Sequence, residues 1–122
     1  MYTLKEKSSY KMQTLKDLND LRLYLITDRS LFKDQKYFLT AVEEALIGGV
    51  KALQLREKDL PDSELTKLGI QLRILTSNYK AKLIINSRAD IAEKIGADGV
   101  HLTETSVHAN EVKSSFPGLI VG

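Results

Sequence analysis

One stretch of the chain gathers residue types that could do chemistry together: Gly49-Val50-Lys51-Ala52-Leu53-Gln54-Leu55-Arg56-Glu57-Lys58-Asp59. A short apolar run opens on the glycine pair Gly48-Gly49 and closes in polar and charged residues. Read as a strand, its side chains alternate, so Leu53 and Leu55 face one way while Gln54 and Arg56 face the other. A buried strand that ends in Gln, Arg and Lys on one side makes a poor core and a good anion site. Arg offers a planar fork of donors and Lys a mobile point charge. The competing reading of the same residues is a salt-bridged strand end. Further polar residues follow other apolar runs, at Thr27-Asp28-Arg29, at Asn86, and at His101, Thr103 and Glu104.

The elements that must position these residues alternate along the chain. Residues 1–21 are polar and read as a loose or helical extension. Arg22-Leu23-Tyr24-Leu25-Ile26-Thr27 reads as a first strand. A helix follows over 35–47, with Asp34 as N-cap and Phe38, Val42, Ala45 and Leu46 as its apolar stripe. Gly48-Gly49 stops it, and the second strand runs over 50–56. Pro61-Asp62-Ser63 opens a helix over 62–77, with Leu65, Leu68, Leu72 and Leu75 on one face. Lys82-Leu83-Ile84-Ile85 is a third strand, and Ser87-Arg88-Ala89-Asp90 is a capping-box pattern opening a helix to Ile95. Gly96-Ala97-Asp98 turns into a fourth strand over 99–102. A last helix covers 108–115, Pro117-Gly118 ends it, and Leu119-Ile120-Val121 begins a fifth strand.

Continuous apolar strands separated by amphipathic helices predict parallel βαβ units, in an open sheet or part of a barrel. The first strand is followed by Thr27-Asp28-Arg29-Ser30 and not by a glycine-rich dinucleotide fingerprint, which weighs against a Rossmann unit. The polar residues fall after strands, where parallel α/β barrels carry their sites.

The totals narrow the function classes. The 122 residues suit one domain, and 43% hydrophobic with 28% charged residues is a soluble globular composition. A net charge of +2 is too small to argue for nucleic acid, and Lys5, Lys7, Lys11 and Lys16 read as a solvated lead-in. Residues 1–20 offer only Tyr2 and Tyr10 as aromatics for a binding arm. No apolar run approaches the roughly 20 residues of a membrane span, and the N-terminus lacks the apolar centre of a secretory signal. With no cysteine, disulfides and thiolate metal sites are excluded, which fits a cytoplasmic protein.

Four motifs in order then carry a resemblance: Tyr24-Leu25-Ile26-Thr27-Asp28, Gln54-Leu55-Arg56-Glu57-Lys58-Asp59, Ile85-Asn86 and Gly96-Ala97-Asp98-Gly99-Val100-His101-Leu102. From about Leu21 to Gly122 the chain resembles the thiamine phosphate synthase/TenI family. The resemblance implies an α/β fold, the first half of a (β/α)8 TIM barrel over 22–122, ending at the start of strand five. The synthase of this family joins a pyrimidine diphosphate to a thiazole phosphate, releasing pyrophosphate with Mg²⁺ assistance. TenI-type relatives isomerise the thiazole precursor without a metal. Carried over by motif, Gln54, Arg56 and Lys58 match the pyrimidine-diphosphate contacts, and Asn86 the polar residue after the third strand; Thr27 joins the candidates. A helix N-cap is the competing role for Asn86. His101 and Glu104 are further candidate site residues, although His101 reads first as a satisfied interior histidine over a catalytic one; Glu57 and Asp59 read as turn and cap residues.

The chain departs from the family pattern at two positions. Ser87 and Ser106 stand where the synthase has magnesium-binding aspartates, and only Glu104 or Asp90 could partly compensate. Magnesium usually meets diphosphate through one or two carboxylates. These departures favour the TenI-like branch with no cofactor; the alternative is an Mg²⁺-dependent synthase. The family's catalytic Ser/Thr-and-His segment is expected beyond Gly122, so most of the residues that would do the chemistry are expected to lie outside these 122 and the piece alone is expected to be inactive. A half-barrel exposes strand edges and its inner sheet face, so the expected partners are a small phosphorylated ligand and another half or a second copy. A homo-oligomer without nucleic acid or membrane is therefore expected.

Overall fold

Six short strands line up side by side in chain order, each parallel to the next. The computed structural model describes residues 2–3, 24–103 and 108–122. The strands are β1 (Tyr2–Thr3), β2 (Tyr24–Ile26), β3 (Ala52–Leu55), β4 (Lys82–Asn86), β5 (Gly99–His101) and β6 (Ile120–Val121). The helices between them are α1 (Gln35–Ile47), α2 (Asp62–Asn78), α3 (Ala89–Ile95) and α4 (Ala109–Ser115), with a 3-10 turn at Arg29–Leu31. This is the parallel α/β alternation of a TIM barrel's first half.

The helices form where local chemistry starts and stops them. The Asp34 carboxylate accepts the Tyr37 N–H at 3.0 Å, and Gly48 is the C-cap of α1, followed by Gly49 at φ +112°. Phe38, Val42, Ala45 and Leu46 are buried, as the stripe predicts, and so are Leu65, Leu68 and Leu72 of α2. Gly69 sits where α2 meets α3: an added Cβ would lie 2.7 Å from Ile95 Cδ1. These residues pack on one face of the sheet against Leu25, Leu53, Leu55, Leu83, Ile85 and Val100. Burying a side chain such as Leu72 stabilises by about 1.5–3 kcal/mol.

The register sets what lies on the other face. Ile26 pairs with Gln54, Gln54 with Ile84, Ile84 with Gly99 and Gly99 with Ile120. Two residues along, Asn86 pairs with His101. This face, the inner one of a barrel, carries Tyr24, Gln54, Asn86 and His101 beside Ile26, Ile84 and Ile120. The described elements leave Ile120 and His101 exposed on it.

Three expectations need correction. Tyr2–Thr3, placed in a loose or helical extension, forms an edge strand in register with Leu25 and Ile26, because β2 has a free edge there. The rest of that extension, 4–23, lies outside the described residues. The second strand is shorter than 50–56, since the Val50 N–H still bonds back to Ala45 O at the exit of α1. Ser87 does not form a capping box: at φ +65° it donates its N–H to His101 O at 2.8 Å, ending the sheet ladder. Arg88 takes the N-cap position with no side-chain cap.

Candidate functional site

The C-terminal ends of β2, β3, β4 and β5 bring the sequence-predicted residues to one end of the sheet. Gln54 and Asn86, 32 positions apart, meet there. The Asn86 side-chain amide donates from Nδ2 to Gln54 Oε1 at 2.8 Å, and Gln54 Nε2 donates to the Tyr24 hydroxyl at 3.0 Å. Gln54 is 1% exposed and Asn86 8%. Three strands thus contribute one polar row, and each amide is held in a fixed sense by its neighbours. Burial pushes the Tyr24 hydroxyl above its ordinary value, over the opposing pull of the Gln54 amide. Tyr24 is therefore a neutral phenol at physiological pH, accepting from Gln54 with its own proton left to donate. The helix-cap role for Asn86 is excluded, since its carbonyl accepts from the Ser87 hydroxyl at 3.2 Å and its amide serves Gln54.

Past the end of β3 the alternation continues. Arg56 and Lys58 are exposed and Glu57 between them is buried. Arg29 pairs with Glu57 and Asp59, Arg73 with Asp98, and Arg88 with Asp62 and Asp90. Among the described residues, Arg56 is the one arginine whose guanidinium pairs with no carboxylate. The salt-bridged strand end, the competing reading of this stretch, is therefore not what forms at Arg56. Lys58 lines a cavity of about 260 Å³ together with Glu57, Asn86, Ser87, Arg88 and Thr103. A larger groove, about 740 Å³, lies between α1 and α2 and is lined by Arg29 but by none of Thr27, Gln54, Arg56, Lys58, Asn86 and His101.

Thr27 is buried, and its hydroxyl works in two directions. It donates to Glu57 Oε2 at 2.7 Å and accepts the Arg56 backbone N–H at 3.1 Å. Glu57 also accepts the Arg29 N–H, at 3.1 and 3.2 Å to its two oxygens, and its own carbonyl takes the Leu60 N–H at 3.2 Å. The Leu60 bond is the expected turn; the expected cap does not form. Burial pushes the Glu57 carboxyl up, against the pull of the Thr27 hydroxyl and of Arg29. Asp59 is exposed and pairs with Arg29, while Pro61, the N-cap of α2, makes no side-chain cap bond.

His101 corrects another expectation. It is exposed, because the described elements put nothing over the inner face at its end of β5. Tyr24 and Glu57 are the residues sequence reasoning undervalued. Tyr24 could have been found from its two-residue offset to Ile26, which puts it on the Gln54 face. Glu57 had a weaker signal, its place in the same alternation as Leu53 and Leu55, set against its reading as a turn residue.

Magnesium, which the family resemblance implies for a synthase, can be tested against the donors present. Among the described residues no group of three or more His, Cys, Asp or Glu could hold a metal ion. Ser87 Oγ stands 3.4 Å from Thr103 Oγ1, and both are neutral hydroxyls. The nearby carboxylates are engaged: Asp62 and Asp90 by the Arg88 fork, with Nη2 at 2.9 Å from each, and Glu57 by Thr27 and Arg29. The described residues thus do not fit a carboxylate-held magnesium ion. Glu104 and Ser106 lie outside them.

The comparisons with known proteins agree on kinship. Residues 23–122 match the family model described as thiamine monophosphate synthase. The chain is 52% identical over 101 residues to the putative thiamine-phosphate synthase 2 of Aquifex aeolicus, covering 83% of this chain and 53% of that protein. It is 42% identical over 95 residues to the thiamine-phosphate synthase of Methanobrevibacter smithii, covering 78% and 44%. Among solved structures, the thiamine phosphate pyrophosphorylase of Pyrococcus furiosus superposes with a TM-score of 0.77 at 40% identity, covering 85% of this chain and 50% of that one. The chain spans about half the length of the curated relatives it matches. With its sheet, its motifs and these matches all in agreement, the chain belongs to the thiamine monophosphate synthase family.

Proposed function

We propose that this chain provides the pyrimidine-diphosphate side of a thiamine-phosphate synthase, a cytoplasmic enzyme acting on small phosphorylated substrates. The observation that carries this reading is Arg56, a guanidinium without a carboxylate partner among the described residues, standing beside the buried Tyr24–Gln54–Asn86 row. Arg56 and Lys58 would meet the diphosphate, and the oriented amides of Gln54 and Asn86 the pyrimidine. As pyrophosphate departs, negative charge collects on its oxygens, and cations already in place lower the barrier most. No step is assigned to a metal, since the described donors do not fit one.

The relatives support joining chemistry over the isomerase expected from Ser87 and Ser106, for they carry the name thiamine-phosphate synthase at 42% identity and above. The isomerase reading retains one supporting observation, the neutral hydroxyl of Ser87 where the family pattern has aspartate. An assay of the protein in its natural reading frame, given pyrimidine diphosphate and thiazole phosphate, separates the two. Formation of thiamine phosphate with release of pyrophosphate is expected. Isomerisation of the thiazole with no joining would overturn the synthase reading.

A further inference from the structure

Glu57 is a carboxylate in the wrong place for an anion site. It lies between the two exposed cations in sequence, yet its side chain is only 4% exposed. Withdrawing a carboxylate from water is costly unless the surroundings answer it. Here they answer it with groups that belong to the loop after β2. These are the Thr27 hydroxyl at 2.7 Å, the Arg29 N–H at 3.1 and 3.2 Å, and the Arg29 guanidinium, whose Nε is 3.6 Å away. That Nε is buried and makes no hydrogen bond, so its contact with Glu57 is purely ionic. The Thr27 hydroxyl then passes the restraint on, because the proton it gives to Glu57 leaves a lone pair for the Arg56 backbone N–H at 3.1 Å. The Thr27 N–H is itself bonded to Gln54 O at 3.0 Å. Two loops 30 residues apart are tied together at the carboxylate.

We propose that Glu57 is a positioning residue. Through Thr27 it fixes the backbone from which Arg56 and Lys58 project, and by holding Arg29 it leaves those two cations to meet the bound anion. Glu57 does not touch the anion. A carboxylate that repels a diphosphate by its charge thus strengthens binding by its geometry.

The proposal rests on the anion-binding reading of Arg56 and Lys58, and its test keeps the two apart. Inorganic pyrophosphate is titrated calorimetrically into the natural protein and into Arg56→Ala, Glu57→Gln, Thr27→Val and Thr27→Ser, well below each melting temperature. Glu57→Gln and Thr27→Val are each expected to bind about tenfold more weakly, the scale of one lost charge-assisted bond. Thr27→Ser keeps the hydroxyl and is expected to recover most of the loss, which a mere packing role for the threonine methyl would not allow. If the natural protein binds pyrophosphate and Arg56→Ala does not, while Glu57→Gln binds as the natural protein does, the positioning role is overturned and the anion site stands. If the natural protein fails to bind, or Arg56→Ala binds equally well, the anion reading falls and takes this inference with it. Should Glu57→Gln fail to fold, the threonine pair decides: equal affinity for the Val and Ser variants overturns the proposal.

Discussion

The two ends of the parallel sheet differ in their arginines: one end closes Arg73 onto a carboxylate, and the other keeps Arg56 open beside two arginines that are paired. At the N-terminal ends of β4 and β5, Asp98 takes the Arg73 guanidinium at 2.8 Å and the Leu83 N–H at 2.8 Å. Arg73 spends its other donors on Gly96 O, Ala81 O and the Ser77 hydroxyl. Gly96, in the left-handed region at φ +73°, ends α3 beside this cluster. At the C-terminal ends, by contrast, Arg56 and Lys58 stand exposed and unpaired among the described residues, polar amides are buried, and Ser87 holds a positive φ of 65°. Arg73 and Asp98 are closed onto each other. On the proposed reading, Arg56 and Lys58 stay open for a ligand, and the backbone beneath them is tied down through Thr27.

The largest effect expected from this contrast is at Arg56. In the protein of the natural reading frame, Arg56→Ala should lower kcat/KM of the proposed synthase reaction by about 100-fold or more while leaving the melting temperature nearly unchanged, since an exposed, unpaired side chain supports little structure. Steady-state kinetics beside a thermal melt checks both halves. An equal loss of activity and stability would break the comparison.

Asp98→Asn should show the mirror image, a cost of about 2 kcal/mol in stability with pyrophosphate affinity kept. The sign of its pH dependence follows from its surroundings. Burial works to raise the Asp98 carboxyl, but the Leu83 N–H and the Arg73 guanidinium prevail and hold it below the ordinary range. A lowered folded value means that this stabilisation is present above the unfolded carboxylate range and is lost as pH falls through the folded value. Denaturant melts should therefore find the gap between the natural protein and Asp98→Asn closing on acidification.

Glu57 should behave in the opposite sense. Its folded value is raised, so its stability contribution is present below the unfolded range and fades as pH rises through the folded value. The melting temperature of the natural protein, relative to Glu57→Gln, should climb as pH is lowered from neutrality. A flat or falling difference would mean that the carboxylate is better compensated than its burial indicates. The smallest effect is at Ser87: replacing it by Gly should relieve the left-handed backbone and gain up to about 1 kcal/mol in a denaturant titration.

Much of the fold was legible because its signals are local. The Asp34 cap, the Phe38–Leu46 stripe and Gly48 bounded α1 at 35–47, the span observed. The leucines of α2 marked its buried face. The alternation of Leu53 and Leu55 against Gln54 and Arg56 held past the strand end, since the period of an extended chain is two whatever it packs against. The capping box at Ser87 failed for a reason that is not local: the Ser87 N–H is claimed by His101 O on the neighbouring strand.

The sequence by itself determined most of the strands and helices between Tyr24 and Val121, which of their faces are apolar, and that Gln54 alternates with Leu53 and Leu55. Periodicity, caps and glycine stops are written within a few residues of one another, so one chain segment carries each signal whole. Only the tertiary structure decided that Asn86 reaches Gln54, that Gln54 reaches Tyr24, and that Glu57 turns inward to Thr27 and Arg29. Those contacts join residues about 30 positions apart, and their partners are chosen by the register of the parallel strands, which no single segment encodes.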